Sequence, residues 1–213
     1  MHMYVKALMK VASRYAPSRV LSFNVVHVFK ALQLIENNGR ASRALLCQEL
    51  ALGEGSIKTL VKHLKMNNLI ETTKAGMKLT SKGKAICVEF SSSISAETSV
   101  PKCSIGLGKF NHVVLLKEFG FTVKSGIEQR DAAVKMGALG ATTLLFKDDK
   151  FVMPGRSHDS LKKEPHIRRL LIEKLKPEED DVIIIGSAGD ERTAELAAKN
   201  AALSTVMNHE KHI

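Results

Sequence analysis

Apolar residues in the first hundred positions recur at helical spacing, and beyond them the pattern changes to short apolar runs. Val5, Leu8, Met9 and Ala12 predict an amphipathic helix over 2–14, closed by Ala16-Pro17-Ser18. Val25, Val28, Phe29, Leu32 and Ile35 predict another, ended by Asn37-Asn38-Gly39. Ser42 is placed to cap a helix through Leu45, Leu46 and Leu50 that stops at Leu52-Gly53. After a tight turn, Ile57, Leu60, Val61 and Leu64 fall at i, i+3, i+4 and i+7 of a helix, with Ser56 in position to cap its first turn behind Gly53 and Gly55. Leu69–Thr73 and Met77–Thr80 then predict two strands around Lys74-Ala75-Gly76, and Ser81 opens a helix reaching about Ser92.

Ser91 to Pro101 is poor in large apolar residues, reads as a helix end running into a linker, and sets a boundary near residue 100. Past it the runs shorten. Val113–Leu116, Thr122–Lys124, Ala141–Phe146, Phe151–Met153 and Asp181–Ile185 predict strands, with helices over 126–137, about 160–175 and about 190–202, and Leu203–Val206 a last strand. The fold class this predicts is α+β overall: an N-terminal helical domain with a hairpin over 1–100, then a small α/β domain over 101–213.

Charge sharpens the picture. Residues 1–103 hold 15 Lys and Arg against 6 Asp and Glu, a net of +9, whereas residues 104–213 hold 17 against 16. Nearly all the excess of the +10 chain thus sits in the first half, which points to a polyanion there. On the helix after Gly53 the arc opposite the apolar stripe carries Lys58, Thr59, Lys62, His63 and Lys65. Lysines there suit phosphates, and Thr and His suit base edges. Two short helices around a tight turn, followed by a hairpin with Lys74 at its tip and Lys78 on its return strand, place the candidate DNA contacts at Ser56, Lys58, Thr59, Lys62, His63, Lys65, Lys74 and Lys78.

From Ser42 through the apolar repeat of 57–64 to Asn68-Leu69-Ile70-Glu71 and Leu79-Thr80-Ser81-Lys82-Gly83-Lys84-Ala85, the chain resembles winged helix-turn-helix regulators, the multiple-antibiotic-resistance type among them. One departure is the lack of arginine on the reading helix, which removes the strongest bidentate guanine contact there. The resemblance implies duplex DNA as partner, and half-site reading favours a homodimer.

The second half carries a weak internal match at an offset of 62 residues: Ser125 with Ser187, Glu128 with Asp190, Arg130 with Arg192, and Thr142-Thr143-Leu144 with Ser204-Thr205-Val206. Ser-x-x-Glu/Asp is a capping-box pattern that marks helix N-termini after strands. With Asp131 and the glycines of Gly186-Ser187-Ala188-Gly189, these residues make two candidate sites for a small anionic effector, at either helix start or between them. The bland reading is simple capping, with each arginine paired on its own helix. The glycine loop lacks the lysine of a nucleoside-triphosphatase and the three-glycine dinucleotide pattern, so no cofactor is called for.

No nucleophile–base pair or metal motif has recognisable spacing, so no catalytic or metal residues are assigned. Asp131, His158 and Asp159 are polar loop candidates, and His209 and His212, three apart, read as a frayed tail. Cys47, Cys87 and Cys103 are odd in number and widely spaced, which gives neither a disulfide framework nor a zinc knuckle. With no membrane-length apolar run and no signal-peptide layout, a cytoplasmic protein without a membrane partner is expected.

Gly126-Ile127-Glu128-Gln129-Arg130-Asp131-Ala132-Ala133, Gly140-Ala141-Thr142-Thr143 and Ile184-Ile185-Gly186-Ser187-Ala188-Gly189-Asp190 carry a second resemblance, to archaeal two-domain proteins that join a winged helix to an uncharacterised α/β domain. It implies a transcriptional regulator and names no effector. The rival reading is an enzyme or RNA-associated protein acting on a small phosphorylated or carboxylated metabolite, and it requires a pocket where acid and base groups converge near Ser125–Arg130 and Ser187–Arg192.

Overall fold

The computed structural model describes residues 2–13 and 20–209, and the chain divides into two compact units, Met1–Phe90 and Ser91–Ile213. Two expected features lie outside the described residues: the helix stop at Ala16-Pro17-Ser18, and His212 of the tail.

The first unit runs α1 (His2–Val11), α2 (Val25–Asn37), α3 (Arg43–Leu50), α4 (Glu54–Met66), β1 (Ile70–Thr73), β2 (Gly76–Leu79) and α5 (Ser81–Ser93), the last reaching past the division. Its core is built from the predicted helical stripes: Leu8, Leu32, Ile35, Leu46, Ile57, Leu60, Leu64 and Phe90 are fully buried. Ser42 caps α3 as expected, its hydroxyl accepting the Leu45 N–H at 3.1 Å. Ser56 does not cap α4. The N-cap is Gly53, without a side-chain bond, and Ser56 lies inside the helix.

Ala41 exchanges both backbone hydrogen bonds with Met77 at 2.9 Å, adding a third short strand segment to the β1–β2 hairpin. Gly76 is required for this approach. Its φ is +118°, and a Cβ there would lie 2.9 Å from the Ala41 carbonyl oxygen.

The second unit contains β3 (Ile94–Val100), β4 (Phe110–Leu116), a 3₁₀ turn (Gly120–Thr122), α6 (Ile127–Val134), β5 (Gly140–Lys147), β6 (Lys150–Val152), α7 (Pro165–Leu175), β7 (Val182–Ala188) and α8 (Glu191–His209). The strands form one sheet in the order β3-β4-β7-β5-β6, with every neighbouring pair antiparallel. β7 is central and buried along its whole length. Ile183 and Ile185 join Ile167, Leu171 and Leu175 of α7 on one face, while Ala188 packs with Ala133, Ala194 and Ala197 from α6 and α8.

Three expectations for this unit are corrected. The supposed linker is mostly edge strand β3. Thr122–Lys124 is not a strand, since the 3₁₀ turn ends there. Leu203–Val206 continues α8, where the Thr205 hydroxyl donates to the Ala201 carbonyl at 2.9 Å and accepts from the Gln129 amide at 2.8 Å. That helix closes on His209, whose ring meets Phe121 edge-on at 5.1 Å.

Candidate nucleic-acid interface

The outer arc of α4 is basic, but its membership differs from the sequence reading. Lys58, Lys62 and Lys65 are exposed. Lys58 makes a loose contact with Glu54, 3.9 Å away and one turn back. Thr59 is half-buried and its hydroxyl donates to the Gly55 carbonyl at 3.0 Å.

His63 does not lie on this arc. It is 5% exposed, its Nδ1 stands 2.8 Å from the Val11 carbonyl, and its ring meets Phe23 edge-on at 5.5 Å. α1 therefore covers the side of α4 that carries His63, and a buried, hydrogen-bonded imidazole reaches no base edge.

Facing the exposed lysines is an open groove of about 590 Å³ between the start of α3, α4 and the hairpin turn, lined by Arg43, Lys58, Lys65 and Lys74 together with Thr72 and Thr73. The hairpin tip is braced. Thr73 Oγ1 accepts from the Ala75 N–H at 3.2 Å and from Arg40 Nη1 at 3.2 Å, and donates to the Gly76 carbonyl at 3.0 Å. Lys78 is not a lining residue. It sits opposite Glu71 in the hairpin register and pairs with it at 3.0 Å.

In the second unit the two candidate anion sites come apart. Ser125 precedes the N-cap of α6, which is Gly126 at φ +78°, and its hydroxyl accepts the Ile127 N–H at 3.4 Å. Glu128 is exposed, and Arg130 pairs with the adjacent Asp131 at 2.9 Å. Ser187 is no cap at all. It is fully buried in β7, donating to Asn111 Oδ1 at 2.7 Å and accepting the Leu107 N–H at 3.1 Å.

Asp190 caps α8 instead, accepting the Thr193 N–H at 3.0 Å and its hydroxyl at 2.7 Å, bonds that hold its carboxyl below the usual range. Replacing Asp190 with Ala is expected to cost about 1 kcal/mol in chemical denaturation, the usual worth of an N-cap. Gly189 has open space around it and Arg192 is exposed, whereas Gly186 is a packing residue: a Cβ there would lie 2.6 Å from the Ala194 carbonyl oxygen.

The two helix starts do not converge. Gln129, near the start of α6, bonds Thr205 near the end of α8, and Asn200 bonds the Ala132 carbonyl at 2.9 Å, so the helices run in opposite directions. The metabolite-enzyme reading loses the paired site it needed. Of its loop candidates, Asp159 is engaged in structure, accepting the Leu161 N–H at 3.0 Å and lying 3.9 Å from Arg168, whereas His158 is exposed.

Residues 25–94 match the family described as CggR N-terminal DNA binding domain. The first unit is a DNA-binding domain. Residues 107–206 match a family described as a domain of unknown function, DUF4443. The chain is similar to the solved structure of hypothetical protein PH0730 from Pyrococcus horikoshii OT3, at 25% identity and a TM-score of 0.69, over 90% of this chain and 95% of that one. No curated protein matches. Among the described residues no helix is long and apolar enough to cross a membrane, and none groups three or more His, Cys, Asp or Glu in position to hold a metal.

The DNA-binding domain also carries arginines beside α4. Arg43 is the first residue of α3 and lines the groove; Arg40 steadies the hairpin tip. Their signal in the sequence is their position on either side of the capping Ser42.

Proposed function

We propose that the protein is a DNA-binding transcription regulator, not an enzyme, acting in the cytoplasm as a homodimer on duplex DNA. The reading takes in the winged helix of the multiple-antibiotic-resistance kind and an archaeal source. α4 enters the major groove with Lys58, Lys62 and Lys65 on the phosphates and Thr59 at its edge, while Lys74 at the hairpin tip meets the neighbouring backbone. Arg43 joins them from α3, and the second unit senses a small molecule or holds the two copies together.

The observation that carries this reading is the groove in which cationic side chains from α3, α4 and the hairpin line one opening within a domain that matches a DNA-binding family. Basic residues gathered this way act by releasing counterions, so affinity for duplex DNA measured by fluorescence anisotropy is expected to fall steeply with salt. A log–log slope of about −3 or steeper follows if each groove cation neutralises one phosphate. A slope near zero, or no binding at low salt, sinks the assignment. Selection of bound genomic fragments with and without a metabolite extract then identifies the operator and tests for an effector.

A further inference from the structure

The two helix starts read from the sequence as anion sites lie apart, and the second unit has a cavity elsewhere. It measures about 320 Å³ and lies between the far ends of β3 and β4 and the start of α8, with Ser99, Lys109, His112 and Glu191 among its lining. That is the lower end of the range for small-molecule sites, about 300–1,000 Å³.

Two of its lining residues, Ser99 and His112, belong to a polar array on the sheet. His112 stands opposite Ser99 in the β3–β4 register, with Nε2 3.2 Å from Glu97 Oε2 and Nδ1 3.5 Å from the Ser99 hydroxyl. Glu97 also receives the ammonium of Lys199 at 3.0 Å, and Lys199, itself buried, bonds Glu195 at 2.7 Å. Burial alone would raise the Glu97 pKa, but the hydrogen bonds and charges of His112 and Lys199 prevail and pull it down to about 2. An ionised Glu97 only accepts, so it takes the Nε2 proton and fixes the ring, and Nδ1 with the Ser99 hydroxyl is the edge turned to the cavity.

At the rim stand two opposite charges. Lys109 is exposed, its ammonium 5.2 Å from the centre of the Phe110 ring, and Glu191 is the exposed first residue of α8. Among the described residues neither has an ion-pair partner. Asp190 already occupies the first turn of α8, so a ligand here is read by side chains and not by the helix start. Val100, Pro101 and Ala194 supply an apolar wall. A plain carboxylate would satisfy Lys109 and Ser99 but face Glu191, and a plain amine would satisfy Glu191 and the Nδ1 lone pair of His112 but face Lys109. An occupant carrying both charges a few bonds apart satisfies the set.

We propose that this cavity binds a small α-amino acid, its carboxylate on Lys109 and the Ser99 hydroxyl and its ammonium on Glu191 and the Nδ1 lone pair of His112. The inference names the ligand class for the second unit and rests on the reading of that unit as the sensing part of the regulator.

Isothermal titration of the full chain with each common amino acid in turn tests it, followed by the analogues of the tightest one that lack the ammonium or the carboxylate. One or more amino acids are expected to bind one per chain, with both analogues weaker by about tenfold or more. Lys109→Ala and Glu191→Gln alter exposed side chains, so their thermal unfolding should match the parent while each weakens binding by about tenfold or more. No binding by any amino acid overturns the proposal. So does equal binding of the analogue without the ammonium, or binding that Glu191→Gln leaves intact. DNA affinity measured with and without the bound amino acid separates the two readings: binding that leaves DNA affinity unchanged keeps the cavity assignment and removes the sensing role.

Discussion

Reversing the charge of Lys58 and Lys65 together, Lys58→Glu and Lys65→Glu, is expected to lower affinity for duplex DNA by about a thousandfold near 0.1 M salt. Each change deletes a cation that displaces counterions from a phosphate and puts an anion in its place, so a loss of tenfold or more per site is expected before repulsion is added. Both side chains are exposed and line the groove. Among the described residues the one ion pair either makes, the contact of Lys58 with Glu54 at 3.9 Å, is exposed and adds little to stability. Unfolding of the double variant should therefore stay within about 0.5 kcal/mol of the parent. Lys78→Glu is the control: Lys78 is paired to Glu71 outside the groove, and its reversal should cost less than tenfold. Anisotropy titrations in which the double variant binds within threefold of the parent would move the DNA surface away from α4.

What the sequence discloses depends on whether a residue's environment is set by its near neighbours or by distant ones. The stripe Ile57, Leu60, Val61 and Leu64 is legible because helical spacing alone brings those residues to one face, and all four are buried. Ser42 is legible as a cap because its partner is the Leu45 N–H, three residues on. His63 is not legible, since the Val11 carbonyl that receives it lies 52 residues away along the chain. Ser187 follows the same rule: its local sequence resembles a cap, but contacts with Asn111 and Leu107 bury it inside β7. β3 reads as linker because its middle residues are polar and only Ile94 and Val100 are buried, so pairing with β4 is what makes it a strand. Thr205-Val206 has β-forming side chains, yet bonds to Ala201 and Gln129 keep it helical. The basic groove falls between these cases. Charge asymmetry announces its sign, but only the fold shows that Arg43 and Lys74 line the same opening as Lys58 and Lys65.

Gly83→Ala is expected to destabilise the first unit by about 3 kcal/mol or more, although helix propensity argues the other way. Gly83 lies in the first turn of α5, where alanine is preferred over glycine by about 1 kcal/mol. A Cβ at this position, however, would overlap the carbonyl oxygen of Leu69 and touch the Leu79 side chain at 3.4 Å. That oxygen is not free to move. It accepts the Thr80 N–H at 3.0 Å, the neighbouring Asn68 holds φ +57° with its carbonyl taken by the Thr80 hydroxyl at 2.6 Å, and Thr80 in turn caps the Gly83 N–H at 3.1 Å. Making room means breaking these bonds where β1, β2 and α5 join, a loss of several hydrogen bonds worth about 1 kcal/mol each plus backbone strain. Gly55 supplies the contrast. It lies in the first turn of α4 with nothing within 4 Å of a Cβ built there, so Gly55→Ala should gain about 0.5–1 kcal/mol from propensity and the smaller entropy of the unfolded chain. Amide hydrogen exchange at buried positions such as Leu60 and Ile86 reports the first unit without interference from the second. Opposite signs for the two glycines are the expected result, and a stabilising Gly83→Ala would show that Leu69 and Thr80 do not hold the hairpin against α5 as described.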